Sequence, residues 1–274
     1  MSEAAVAGRT VSAALADATA ILSGVESDTP RLDAEVLLAF VLGVSRSRLV
    51  LNATVRLEPA ESARFDALVA RRKAHEPVAY ILGRKEFRRI ELVVDPRVLI
   101  PRPETELLVE VGLTSPSGAR VVDVGTGSGA VALALAQERP DLHVVGTDVS
   151  ADALAVAREN GRRLGLDVEF VLADLLDGVP GPFDTVLANL PYVASGVDLP
   201  PDIAGYEPAC ALFSGPDGLD LIRRFLPMVA AVPLVALEVG LPEHVAWLAR
   251  EAGFGPVSIL RDLAGHDRVV VARR

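Results

Sequence analysis

In the first 85 residues, hydrophobic positions recur at helical spacing. Val11, Leu15, Ala18 and Leu22 share one face, because steps of three and four residues return to the same side of a helix. Thr29-Pro30 predicts the start of a second helix, with Thr29 as N-cap and Pro30 in the first turn. Leu32, Val36, Leu37 and Phe40 form its apolar positions, and Gly43 closes it. A third helix is expected from about Pro59 to Lys73 and a short one over Val78–Leu82. Alternation suited to a strand first occurs at Arg88-Arg89-Ile90-Glu91-Leu92-Val93-Val94.

From Arg120 the pattern changes to short apolar runs alternating with helical segments. The expected strands are Arg120–Val124, His143–Asp148, Val168–Leu172, Thr185–Asn189, Leu234–Val239, Val257–Leu260 and Val269–Ala272. Helices are expected over Val131–Arg139, Ala151–Leu164, Leu219–Val229 and Glu243–Ala252. Such alternation implies a mainly parallel sheet covered on both faces. Only the short turn Asp262–Asp267 separates the last two strands, so they should pair antiparallel. Three regions result: a helical domain over 1–85, a connector with a β-hairpin over 86–114, and an α/β domain over 115–274.

Charge divides the chain in the same way. The net charge is −10; residues 1–100 hold 14 Arg/Lys against 13 Asp/Glu, and residues 101–274 hold 13 against 24. An acidic α/β half opposes indiscriminate nucleic-acid binding, which depends on neutralising phosphates. The stretch from Arg64 to Arg89 has eight basic residues against three acids; it reads as a solvated helix face or as a surface for RNA or an acidic protein. The single cysteine, Cys210, excludes an internal disulfide and fits a reducing cytoplasm. His75, His143, His244 and His266 lack metal-ligand spacing, so no metal site is expected. The apolar run Phe225–Leu237 carries Pro227 and Pro233 and is too short to span a bilayer. Glu3, Arg9 and Asp17 interrupt the stretch that a signal peptide would keep apolar.

Two motifs carry candidate chemistry. Gly125-Thr126-Gly127-Ser128-Gly129 follows an apolar strand and precedes a helix, so its backbone can turn sharply and approach a ligand at the carboxyl edge of the sheet. Asp148 ends the next strand, where a carboxylate can accept hydrogen bonds from both ribose hydroxyls of an adenosine. Asp174 and Leu175 follow the third strand and are placed to meet the adenine edge. The Gly-x-Gly-x-Gly spacing differs from a dinucleotide fingerprint, and no Walker lysine follows. S-adenosyl-L-methionine therefore fits better than NAD or a nucleoside triphosphate.

Asn189-Leu190-Pro191-Tyr192 follows the fourth strand. An amide or exocyclic amino nitrogen is a poor nucleophile because its lone pair is delocalised, and two acceptors facing its hydrogens would hold it and enrich the nitrogen. The Asn189 side-chain carbonyl and the Leu190 backbone carbonyl can supply them. Pro191 biases Leu190 to extended geometry, and Tyr192 can stack on a planar acceptor. The chemistry would be methyl transfer, catalysed mainly by positioning.

This motif resembles that of amino-directed methyltransferases, usually Asn-Pro-Pro-Tyr or Asp-Pro-Pro-Tyr, with Leu190 where the first proline normally stands; the Leu form is found in ribosomal RNA adenine dimethyltransferases. Further strings narrow the resemblance: Pro77-Val78-Ala79-Tyr80-Ile81-Leu82-Gly83, Leu99-Ile100-Pro101-Arg102-Pro103-Glu104-Thr105-Glu106, Tyr206-Glu207-Pro208 and Gly215-Pro216-Asp217-Gly218-Leu219. With these, residues 30 to 274 resemble the bacterial peptide chain release factor glutamine methyltransferases (the PrmC/HemK family). The resemblance implies a seven-stranded, Rossmann-like class I methyltransferase domain after a helical substrate-recognition bundle.

It further implies S-adenosyl-L-methionine as cofactor and the Gly-Gly-Gln glutamine of class I release factors as methyl acceptor, in a cytoplasmic monomer that requires neither membrane nor nucleic acid. By matching position, Gly125 to Gly129, Asp148, Leu175 and Asn189 correspond to cofactor contacts, and Asn189 to Tyr192 to the glutamine pocket. Arg102 and Glu104 are candidate substrate contacts; their segment also reads as a proline-braced hinge. Leu175 stands where the family often has an aromatic residue, and Arg88-Arg89 replaces an aromatic-glycine continuation after Phe87. The alternatives are an N(6)-adenine RNA/DNA methyltransferase, a ribosomal-protein glutamine methyltransferase, or a nonenzymatic adenosyl-ligand sensor.

Overall fold

The computed structural model describes residues 8–25 and 29–274; residues 1–7 and 26–28 of the expected helical domain lie outside them. The chain folds into two compact units, one running to Gly83 and including Leu199–Tyr206, the other comprising Arg84–Asp198 and Glu207–Arg274.

The first unit contains α1 (Val11–Leu22), α2 (Pro30–Leu42), α3 (Arg46–Leu51), α4 (Pro59–Lys73) and α5 (Val78–Leu82). Leu15, Leu22, Leu37, Leu38 and Phe65 are buried at its centre, so the helical periodicity of the sequence becomes one core. Thr29 stands at the N-cap of α2, but its hydroxyl donates to Asp33 Oδ1 (3.2 Å) and makes no backbone cap. A buried Arg72–Asp33 pair (2.8 Å) joins α4 to α2. Asp202, from the late insertion, lies 3.9 Å from Arg72, and the Tyr206 hydroxyl donates to the Ala74 carbonyl at 2.7 Å.

The second unit opens with a hairpin of β1 (Arg84–Phe87) and β2 (Ile90–Val93), followed by α6 (Glu106–Leu113). The strand expected over Arg88–Val94 is thus corrected: Arg88 and Arg89 form the turn, with Arg88 at φ +50°. Long-range ion pairs offset that unfavourable backbone. The Arg88 guanidinium donates to Glu138 (2.6 and 3.0 Å) and to Glu110, and these partners hold it well above the usual arginine range. Arg88→Ala would remove the hydrogen-bonded partner of the nearly buried Glu138 carboxylate, so stability should fall by about 1–3 kcal/mol. Urea unfolding at constant m-value measures this; a change below about 0.5 kcal/mol, the size of an ordinary surface substitution, would show that the hairpin does not depend on the pair.

Four of the eight basic residues of the Arg64–Arg89 stretch are paired in this way. Arg71 pairs with Glu76, Arg72 with Asp33, Arg84 with Glu91, and Arg88 with Glu110 and Glu138.

The remaining elements are β3 (Arg120–Val124), α7 (Ala130–Glu138), β4 (His143–Asp148), α8 (Ala151–Leu164), β5 (Glu169–Leu172) and β6 (Thr185–Asn189). They are followed by α9 (Pro201–Ala204, in the first unit), α10 (Asp220–Met228), β7 (Leu234–Glu238), α11 (Pro242–Glu251), β8 (Val257–Arg261) and β9 (Asp267–Arg273). The seven-stranded sheet runs β5-β4-β3-β6-β7-β9-β8. Strands β3 to β7 pair in parallel; β9 is antiparallel to both β7 and β8. Because β3 has β4 on one side and β6 on the other, the connections diverge at its carboxyl end and leave a crevice between them. The register sets Val124 opposite both Thr147 and Ala188, so the residues after β3 and the last residues of β4 and β6 meet there.

Candidate active site

The crevice holds an open cavity, the usual place for a ligand in such a sheet. Among its lining residues are Gly125, Gly127, Asp148, Asp174, Leu175, Asn189, Leu190 and Pro191, so both sequence motifs reach one space. Leu99, Pro208 and Cys210 also line it.

The alternate glycines follow from backbone geometry. Gly125, Gly127 and Gly129 have φ of +73°, +54° and +83°, values that side chains with a Cβ rarely adopt. Gly125 N–H and Thr126 N–H donate to the Thr147 carbonyl (2.9 and 2.8 Å), and Gly127 N–H donates to Asp148 Oδ2 (2.9 Å). A Cβ on Gly125 would lie 3.4 Å from the Leu190 side chain, which brings the two motifs together. Thr126 and Ser128 are buried beneath the loop; the Thr126 hydroxyl donates to Asp123 Oδ2 at 2.6 Å. Burial pushes the Asp123 carboxyl up to about 6. Asn160 of α8 completes the support, its Nδ2 donating to the carbonyls of Ser128 (2.9 Å) and Val93 (3.0 Å).

Asp148 accepts from Gly127 N–H and, through Oδ1, from Ser150 N–H at 2.9 Å; burial raises its pKa against these bonds. A carboxylate oxygen can accept more than one hydrogen bond, so both retain capacity for a diol. Leu175 is buried with φ +57°, and its carbonyl accepts from the Thr147 hydroxyl (3.0 Å). Asp174 reaches the cavity edge, where Arg224 pairs with it at 2.7 Å.

Asn189 Nδ2 donates to Thr105 Oγ1 at 3.2 Å, leaving Oδ1 as its other polar atom. Tyr192 packs on Gly240, where a Cβ would lie 3.0 Å from the ring. Burial and the Glu238 charge raise its phenol to about 12. The Gly215–Leu219 string buttresses this segment: Ser195 N–H donates to the Gly215 carbonyl (2.7 Å), and a Cβ on Gly218 would sit 2.3 Å from the Tyr192 carbonyl oxygen.

Arg102 and Glu104 are not in the cavity lining. The Arg102 guanidinium pairs with buried Glu207, linking the Leu99–Glu106 and Tyr206–Pro208 strings, whereas Glu104 borders a separate groove with Glu106, Glu110 and Leu263. The residue of that segment beside Asn189 is Thr105. Glu238, ending β7 in register with Asn189, is also present; its sequence signal is one acid closing the apolar run Leu234–Leu237. Among the described residues, no cluster of three or more His, Cys, Asp or Glu could hold a metal ion, and no helix is long and apolar enough to cross a membrane.

The strand order, the glycine loop at its switch point and the acid ending β4 define a class I methyltransferase fold. Residues 103–203 match the family model described as methyltransferase small domain, and residues 13–83 match PrmC N-terminal domain. A methyltransferase from Pyrococcus furiosus shares the fold: TM-score 0.52 at 19% identity, covering 76% of this chain and 96% of that one. The release factor glutamine methyltransferase of Moorella thermoacetica is 40% identical, with 97% of this chain and 99% of its own length covered. The protein of that name from Rhodospirillum rubrum is 39% identical, with 92% and 81% covered. The chain belongs to the release factor glutamine methyltransferase family.

Proposed function

We propose that this protein methylates the side-chain amide nitrogen of the glutamine in the Gly-Gly-Gln motif of class I peptide chain release factors, working as a cytoplasmic monomer. The observation that carries this reading is the meeting of Asn189 and Leu190 with Gly125, Gly127 and Asp148 around one cavity. The residues fit S-adenosyl-L-methionine: Asp148 is an acceptor for the ribose diol, and a backbone without Cβ atoms lies beside it. That cofactor, when bound, supplies an electrophilic methyl group on a sulfonium.

This chain's residues position the acceptor. Asn189 Oδ1 and the Leu190 carbonyl accept from the two hydrogens of the glutamine amide, which fixes the nitrogen and turns its lone pair to the cofactor side. Tyr192, kept neutral by its raised pKa, is not among the residues lining the cavity and braces the motif from its packing on Gly240. Leucine retains the main-chain carbonyl that a proline at position 190 would offer. The helical unit, with its near-balanced charge, recognises the body of the release factor.

Incubation with labelled S-adenosyl-L-methionine and purified release factor, followed by peptide mass mapping, tests the reading. Methyl on the Gly-Gly-Gln glutamine is expected; methyl on RNA adenine, on a ribosomal protein, or on nothing overturns it. Cys210 provides an independent check on the cofactor site, since it is exposed and lines the cavity. With cofactor at ten times its Kd, alkylation of Cys210 by N-ethylmaleimide should slow about tenfold, in proportion to the free protein remaining. An unchanged rate would place the cofactor elsewhere.

A further inference from the structure

Three polar side chains meet where β6 and β7 end, and the reaction proposed above uses only one of them. Glu238 is paired with Asn189 in the sheet register, is 3% exposed, and has no hydrogen-bond partner for Oε2. Thr105, also buried, accepts from Asn189 Nδ2 at 3.2 Å, and both Thr105 and Asn189 stand near enough to the Glu238 carboxyl to oppose the rise in its pKa.

Donor and acceptor accounting gives this cluster a direction. An ionised carboxylate only accepts, so the one hydroxyl proton of Thr105 must point to Glu238. The Thr105 oxygen then faces Asn189 with lone pairs, which favours Nδ2 on that side and turns Oδ1 away. Only this orientation lets Asn189 accept from a substrate NH2 group; the flipped amide would set donor against donor. The oxygen and nitrogen of the amide are nearly isosteric, so Asn189 alone cannot select between the two.

We propose that Glu238, acting through Thr105, is the positioning residue that fixes the Asn189 amide with its oxygen toward the methyl-accepting nitrogen. This deepens the glutamine-methylation reading and rests on it. A protonated Glu238 could donate to Thr105, freeing the Thr105 proton for Asn189 Oδ1 and reversing the chain of bonds. Burial raises the Glu238 pKa; Glu104 adds to the rise, while Thr105, Arg268 and Asn189 oppose it. Tyr192, the remaining titratable neighbour, stays neutral. Activity is therefore present above the Glu238 pKa and lost as pH falls through it, at a pH above the ordinary glutamate range.

The test uses the full chain with release factor as substrate. Glu238→Gln should lower kcat about 10–100-fold, the usual scale for a residue that orients a primary contact. KM, cofactor Kd and Tm should stay near their original values, and the acid limb of the pH profile should disappear. Thr105→Val should act alike and Thr105→Ser should recover most of the rate; this pair decides the matter should Glu238→Gln fail to fold. The double variant Thr105→Val/Glu238→Gln should be no worse than either single one. Wild-type kcat with an intact acid limb in Glu238→Gln, or additive losses in the double variant, would overturn the proposal. If the unaltered chain transfers no methyl to glutamine, the functional reading fails separately. The Asn189 side-chain NH2 resonances still decide this proposal, because they should move with Glu238 ionisation in the original chain and not in Glu238→Gln.

Discussion

Asn189→Ala should reduce methyl transfer by about 10²–10³-fold in kcat while changing cofactor affinity less than about threefold. The magnitude is that of removing one preorganised hydrogen-bonding group from a reacting centre. Asn189 lines the cavity together with Leu190, and with its Nδ2 donated to Thr105 its Oδ1 is the side-chain atom of this motif that can accept from a substrate. Its loss leaves the main-chain acceptor intact, so substrate binding persists while the second constraint on the NH2 group is gone. The glycine loop rests on Thr147, Asp123 and Asn160, none of which depends on Asn189, so cofactor binding should survive. Single-turnover transfer and calorimetric titration separate the two quantities. Equal losses in both would assign Asn189 to the cofactor instead of the acceptor.

The parts of the site legible in sequence are those built from consecutive residues. Strands β3, β4 and β6 read directly because a parallel strand covered on both faces is a continuous apolar run, and the ligand-facing residues come immediately after each run. That rule alone sets the glycine loop, Asp148 and Asn189 at one edge of the sheet.

What escapes a local reading is set by partners distant in sequence. Arg88 gives no turn signal, and its hairpin conformation is held by Glu110 and Glu138 far along the chain. Residues 199–206 join the helical unit through Asp202 and Tyr206, which no local pattern announces. Helix α3 has one buried residue, Leu49, and hence no periodicity to detect. Thr105 reads as part of a proline-braced hinge; its position beside Asn189 arises only when the Pro103–Thr105 turn packs against the end of β6. Glu238 is visible as an acid closing an apolar strand, the same signal that marks Asp148, but its neighbour Asn189 is brought beside it only by the pairing of β6 with β7.

Asp148→Ala should weaken cofactor binding by about 100-fold or more, because hydrogen bonds to a charged group contribute about 1.5–3 kcal/mol each and the ribose diol would lose two. The carboxylate also receives Gly127 N–H and Ser150 N–H, so the substitution strips an acceptor from the loop as well. Asp148→Asn separates the effects: its oxygen can still hold one backbone N–H, but its NH2 group faces the other donor, so it should bind more weakly than the original chain and no better than about tenfold above Asp148→Ala. A 2′-deoxyribose analogue of the cofactor closes the test. It should bind the original chain much less tightly than the parent compound, yet Asp148→Ala should barely distinguish the two, since the group that reads the hydroxyl is already gone. If the deoxy analogue loses as much affinity in Asp148→Ala as in the original chain, the ribose is recognised elsewhere, and Asp148 only braces the loop.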